Sequence, residues 1–156
     1  MEMTELRKML TVSLEIMSET EAVSSLTEFW QGELRVLLYL SQNRNLQINP
    51  SILSDNLNVS RSRITAALSK LREKGYVTMQ MSEEDRRRMC VMLTQDGESF
   101  LKEKQAKAEG YLDTFVEGMG KDNVIELIRL IKLSTEILKN KEKQTGTKTT
   151  EVLYEH

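Results

Sequence analysis

Between residues 60 and 70 the chain sets out side chains whose types and spacing suit one kind of chemistry. Arg61, Ser62, Thr65, Ala66 and Ser69 recur at intervals of three and four, with Arg63 beside them and Arg72 further along. On a helix such residues share one face. Most of them are short, which lets a helix lie deep in a groove about 12 Å wide while a few long donors reach guanine edges or phosphates. The competing reading is a solvated face, the default for polar positions on a surface helix. A second set follows at Asp85-Arg86-Arg87-Arg88. Adjacent guanidinium groups on a loop tip respond to minor-groove width and negative potential. Asp85 is placed to steady one of them through a bidentate pair. Here the alternative is a charged loop that keeps a sheet edge soluble.

The elements that must hold these residues can be read locally. Asn49 suits an N-cap, and Pro50, the only proline, suits the first helical position because the N–H it lacks has no partner there. Ile52, Leu53 and Leu57 follow helical spacing, so a helix is expected over Asn49–Leu57. Asn58 tolerates the left-handed conformation that ends a helix. Ser60 caps the next helix, Ser60–Lys74, whose inward face is Ile64, Ala67, Leu68 and Leu71 and whose stop is Gly75. Val77–Met81 and Met89–Leu93 then alternate apolar and polar residues, as strands with one covered face do. Two helices at a tight turn, followed by a β-hairpin tipped with arginines, describe a winged helix-turn-helix.

The run Asn58-Val59-Ser60-Arg61-Ser62-Arg63-Ile64-Thr65, then Leu71-Arg72-Glu73-Lys74-Gly75-Tyr76-Val77, Asp85-Arg86-Arg87 and Leu93-Thr94-Gln95-Asp96-Gly97 resembles the MarR family of transcriptional regulators. The Asp-Arg-Arg element ahead of Leu-Thr-x-x-Gly is the more specific part. The resemblance implies a homodimer on a pseudo-palindromic operator of double-stranded DNA, usually repressing. It also implies release by a small anionic or lipophilic effector, or by thiol oxidation. By resemblance, the face from Ser60 and Arg61 to Ser69 enters the major groove, while Arg86 or Arg87, steadied by Asp85, reaches the minor groove. Ser54 and Asn58 stand where the family commonly has alanine and glycine; both fit the same backbone.

The expected fold is therefore mainly α with a small β-hairpin wing. A single domain is expected over residues 1–140, with a winged lobe at 32–93 and dimerisation helices at 1–24 and 94–140. The first of these helices carries Met3, Leu6, Leu10, Leu14 and Met17 as one stripe. A polar connection at Ser24, Ser25 and Thr27 leads to a helix over Gly32–Gln42. Thr94 caps a long helix ending at Gly118-Met119-Gly120, and its first turn holds Asp96 and Glu98, which favour a helix N-terminus. A last helix, Asp122–Asn140, is apolar over too wide an arc for one neighbour, which points to a dimer interface. From Lys141 to His156 the apolar content falls, and a mobile tail is expected.

Charge is segregated along the chain. Between Asn58 and Leu93 there are eight Lys and Arg against four Asp and Glu, whereas the remainder holds fourteen against twenty. A basic module within an acidic chain of net charge −2 suits local phosphate binding and excludes a generally adhesive DNA coat. With no apolar run of about 18 residues and no basic-then-apolar leader, neither a membrane span nor secretion is expected, and the lone Cys90 fits a reducing cytoplasm.

Rival chemistries find little support. His156 is the only histidine, so a Ser-His-Asp triad, a Cys-His pair and a histidine-rich zinc site lack their central residue. No phosphate-binding glycine loop occurs, and no cofactor, metal or enzymatic activity is expected. Phe29, Trp30 and Tyr39 are candidates for the wall of an effector pocket, or else are ordinary core. Cys90 is either a structural thiol or, near Arg87 and Arg88, an oxidant sensor. In a dimeric regulator the two recognition helices must sit about 34 Å apart, so a change of angle between lobes spoils both half-sites together. The alternative is a winged helix serving only protein interaction or dimerisation, which predicts no steep salt dependence of DNA binding.

Overall fold

The computed structural model describes residues 2–82 and 88–145. In chain order its elements are α1 (Met3–Ser18), α2 (Glu21–Thr27), a 3₁₀ turn (Glu28–Trp30), α3 (Gly32–Gln42), α4 (Pro50–Leu57), α5 (Arg61–Glu73), β1 (Val77–Met81), β2 (Met89–Leu93), α6 (Gln95–Met119) and α7 (Lys121–Thr145). The chain divides into two units, one up to Tyr111 and one from Leu112 onward. The first holds α1–α5, the hairpin and most of α6; the second holds the end of α6 and α7.

The core of the first unit is built from the inward stripes of three helices, the covered face of the hairpin, Ile48 ahead of α4 and Leu101 of α6. Leu34, Val36, Leu37 and Leu40 come from α3, Leu53 and Leu57 from α4, Ile64, Leu68 and Leu71 from α5, and Val77 and Val91 from the two strands. Burying each such side chain contributes about 1.5–3 kcal/mol relative to leaving it in water. Ala67 is half-buried against this core, which completes the expected inward face of α5.

The helix-turn-helix closes as its residue types require. The Asn49 side chain accepts the Ile52 N–H at 2.9 Å, with Pro50 at the first helical position. Asn58 takes φ 50° and ψ 47°, the left-handed conformation that Asn tolerates. Ser54, nearly buried, locks the turn from inside by donating its hydroxyl to the Val59 carbonyl at 2.7 Å. Alanine at this position could not do so.

In the antiparallel hairpin Val77 faces Leu93, Met79 faces Val91 and Met81 faces Met89. The apolar face leaves the core at its far end, where Met81 and Met89 are 60% and 40% exposed. The Val91 N–H donates to the Ile48 carbonyl at 2.7 Å, so the segment ahead of α4 lies along the free edge of β2.

Thr94 sets the start of α6. Its hydroxyl donates to the Gly75 carbonyl at 2.6 Å and accepts the Gly97 N–H at 3.0 Å, while its own N–H donates to the Tyr76 carbonyl at 3.1 Å. Tyr76 and Phe100 stack with ring centroids 4.4 Å apart. The Leu-Thr-x-x-Gly run is thus a clamp between the end of α5 and the start of α6.

Two boundaries depart from the sequence reading. The expected helix over residues 1–24 breaks at Glu19-Thr20, where Thr20 donates to the Met17 carbonyl at 2.8 Å and accepts the Val23 N–H at 3.3 Å. It thereby ends α1 and caps α2, and Ser24, Ser25 and Thr27 are helical rather than a connection. Lys141–Thr145, expected to open the tail, continues α7. The stretch is rich in Lys, Glu and Gln, good helix formers that extend a helix without any apolar burial. The rest of the expected tail lies outside the described residues. Neither α1 nor α7 contains a buried residue. Among the described residues, no helix is long and apolar enough to cross a membrane.

Candidate nucleic-acid interface

The face of α5 picked out by residue spacing is open to solvent along its length. Ser60, Arg61, Ser62, Arg63, Thr65, Ala66 and Ser69 are all exposed, while Ile64, Leu68 and Leu71 between them are buried. The two sets are separated by the helical repeat, so core packing fixes which way the polar ridge points.

Several of these residues already have local work. The Ser60 hydroxyl accepts the Arg63 N–H at 3.4 Å as the helix cap and lies 3.1 Å from the Ser62 hydroxyl. The Thr65 hydroxyl donates to the Arg61 carbonyl at 2.9 Å, which leaves its methyl group as its outward surface. That surface suits apolar contact such as a thymine methyl offers. Lys70 and Arg72 occupy the last turn of α5, where cations interact favourably with the helix dipole.

Of the expected wing residues, Asp85, Arg86 and Arg87 lie outside the described residues. Arg88 is exposed at the base of the hairpin, where its carbonyl accepts the Ser82 N–H at 2.8 Å.

Beside α5 lies an open cleft of about 950 Å³, bordered by Trp30, the start of α3, the flank of α5, Phe100 and Lys104. Of the three aromatics read as either pocket wall or core, Trp30 borders this cleft and is 59% exposed. Phe29 and Tyr39 pack against the core instead. The cleft has a charged margin that the sequence reading missed. Lys74 is bound to Glu33 at 2.6 Å, and Lys104 to Glu28 at 3.1 Å, with the Lys104 ammonium 5.7 Å from the centre of the Phe100 ring. The Glu33 hydrogen bond raises the Lys74 ammonium above its ordinary value, working against desolvation. These partners lie 41 and 76 residues apart in sequence, beyond the reach of any local pattern.

Other ion pairs hold the surroundings. Glu98 at the start of α6 contacts Arg44 at 2.9 Å and Lys102 at 2.8 Å, and their hydrogen bonds bring its carboxyl down to about 2. Glu21 on α2 is paired with Lys107 on α6, which lowers the Glu21 carboxyl, and the Glu21 hydrogen bond raises the Tyr111 phenol. Cys90 is partly buried, with its sulfur 3.8 Å from the Gln47 side-chain oxygen. Among the described residues, no group of three or more His, Cys, Asp or Glu could hold a metal ion.

A capped helix with an exposed ridge of short polar residues, packed beside a hairpin, is a nucleic-acid-reading architecture, and residues 33–109 match the winged helix DNA-binding domain family. Over those residues the chain is similar to that family, and its fold is that of a winged helix. Among curated proteins it is similar to the HTH-type transcriptional repressor YetL of Bacillus subtilis, 27% identical over 73 residues that cover 47% of this chain and 44% of YetL. It is also similar to the transcriptional repressor MprA of Escherichia coli, 36% identical over 67 residues that cover 43% of this chain and 38% of MprA. The matched segment thus spans less than half the length of these relatives.

Solved structures extend the likeness of fold to most of the chain. MepR, a transcription regulator of the Staphylococcus aureus multidrug efflux pump MepA, aligns with a TM-score of 0.62 at 16% identity over 88% of this chain and 99% of its own. A MarR transcriptional regulator from Methanosarcina mazei aligns with a TM-score of 0.52 at 20% identity over 87% and 98%. The repressor CouR, solved bound to a 23-mer DNA duplex, aligns with a TM-score of 0.60 at 23% identity over 86% and 98%. In fold the chain is similar to these three proteins over most of its length.

Proposed function

We propose that this protein is a sequence-specific DNA-binding transcriptional regulator acting in the cytoplasm as a repressor. It binds a pseudo-palindromic operator as a homodimer, and a small effector releases it. The observation that carries the reading is the ridge of α5. Its exposed residues from Ser60 to Ser69 are short except for Arg61 and Arg63 near the helix start, which is the end that enters the major groove in helix-turn-helix proteins. Arg86 or Arg87, held by Asp85, supplies the minor-groove contact.

Dimerisation is supported by the apolar surface of α1 and α7, each considered by itself. Met3, Leu10 and Leu14 of α1 are 73%, 61% and 52% exposed, and Ile128, Ile131 and Leu138 of α7 are 47%, 56% and 60% exposed. Contiguous apolar surface of this kind marks an interaction site, and a second copy of the chain is the occupant that a palindromic operator requires. An effector is supported by the cleft beside α5. An anionic ligand there would compete with Glu33 and Glu28 for Lys74 and Lys104, and a lipophilic one would lie on Trp30 and Phe100.

The test is fluorescence anisotropy of the purified protein against duplexes tiled across the DNA upstream of its own coding region, at two salt concentrations with non-specific competitor. Tight binding to a tile that contains an inverted repeat, weakening steeply with salt, is the expected result. In that assay Arg87→Ala weakens binding while the dimer stays intact, and Arg61→Ala changes sequence preference. Uniformly weak binding by folded, dimeric protein rejects the reading and leaves a protein-interaction module.

A further inference from the structure

Gln47 belongs neither to the helix pair nor to the hairpin, yet its side chain touches β2 and the residue that follows β1. Its Oε1 accepts the Ser82 hydroxyl at 2.9 Å and lies 3.8 Å from the Cys90 sulfur, the thiol being a weak donor. Ser82 directly follows β1, and Cys90 lies within β2 opposite Gln80. Gln47 therefore grips the hairpin on the face opposite Met79 and Val91, near the end where the tip begins. Its neighbour Ile48 receives the Val91 N–H, and Asn49, one residue further, caps α4. Three consecutive residues thus connect the start of the helix-turn-helix to the base of the wing. Ser82 is 5% exposed, whereas Gln47 itself lies at the surface and contributes nothing to the core.

We propose that Gln47 is a positioning residue for DNA binding: it sets the angle of the wing relative to α4 and α5, so that both elements engage one duplex together. The proposal rests on the DNA-binding reading above. Backbone pairing at Val91 fixes how near the hairpin edge lies. Val77 and Val91 anchor one end of the hairpin in the core, but Met81 and Met89 at the other end are exposed, and a side chain that bonds to Ser82 just beyond β1 restrains that end. Loss of Gln47 leaves the hairpin formed but loosens the end of β1 and the start of β2 against the segment ahead of α4, and with them the angle of the wing.

The experiment compares Gln47→Ala in two backgrounds of the full chain, wild type and Arg86→Ala/Arg87→Ala, against the duplex bound most tightly in the tiling assay. In the wild-type background Gln47→Ala weakens binding about three- to tenfold, the scale of a lost hydrogen bond. It also makes the salt dependence shallower, as losing wing cations does. In the arginine-free background the same substitution changes affinity less than twofold, because the tip it positions has nothing left to contribute. Equal loss in both backgrounds, or no loss in the wild-type background, overturns the proposal alone. A null effect of the arginine substitutions themselves overturns the wing reading, and the proposal with it. Unchanged urea midpoints at equal protein concentration separate positioning from folding, and Ser82→Ala, which removes the donor from the other side, reproduces the Gln47→Ala behaviour.

Discussion

Gly97→Ala sets two well-measured effects against each other with opposite signs. Gly97 lies in the first turn of α6, and helix propensity alone favours alanine there by about 1 kcal/mol. A Cβ at this position, however, would lie 2.1 Å from the Tyr76 carbonyl oxygen and 2.9 Å from a Leu93 methyl carbon. The first obstacle is backbone, so the start of α6 and the turn after α5 must separate by roughly 1 Å, and overpacking of this kind costs about 1–3 kcal/mol. The separation also strains the three Thr94 hydrogen bonds to Gly75, Tyr76 and Gly97, each worth about 1 kcal/mol. Even after the propensity gain, a net loss of about 2–4 kcal/mol follows, which lowers the melting temperature by on the order of 10 °C for a protein of this size. The assay is urea unfolding followed by far-ultraviolet circular dichroism at one fixed protein concentration, since association of copies adds to apparent stability. Gly110→Ala is the internal control. No atom lies within 4 Å of its added Cβ, so propensity acts there unopposed and stability rises by about 0.5–1 kcal/mol. A Gly97→Ala protein as stable as the wild type would refute the clamp between α5 and α6.

Two further substitutions test the local arguments. Asn58 holds a left-handed conformation, so Asn58→Ala lowers stability by about 1 kcal/mol while Asn58→Gly stays within about 0.5 kcal/mol of wild type; equal effects in denaturant titrations would mean the backbone there is not under strain. Glu98 is depressed from the ordinary glutamate value of 4.5 to about 2 by Arg44 and Lys102. A depressed carboxylate contributes its full stabilisation above the unfolded value, so that contribution is lost as pH falls from about 4.5 toward 2. Glu98→Gln therefore flattens the acid limb of a plot of urea midpoint against pH and reduces its salt sensitivity, a small change because the group is at the surface.

What could be read from the sequence was what neighbouring residues decide between themselves. The caps at Asn49 and Ser60, the stop at Gly75 and the alternation in both strands each act within a few residues, and α4, α5 and the hairpin follow them closely. The break at Thr20 depends on one hydroxyl turning back to the Met17 carbonyl, in a sequence that offers no glycine or proline to mark it. The cleft was not legible in the sequence for a different reason. Aromatic character says nothing about direction: Phe29 and Tyr39 turn to the core, while the cations at the cleft margin meet glutamates distant in the chain. Ser54 shows the same limit in a single residue. As a type it reads only as a small replacement for alanine, but in place it satisfies the Val59 carbonyl in a turn that lacks the usual glycine. The left-handed Asn58 and the Ser54 hydroxyl are thus two halves of one solution to the turn, and the turn sets the angle at which the α5 ridge leaves the core. The placing of the exposed α5 ridge, with its two arginines, therefore depends on a buried hydroxyl beneath the turn.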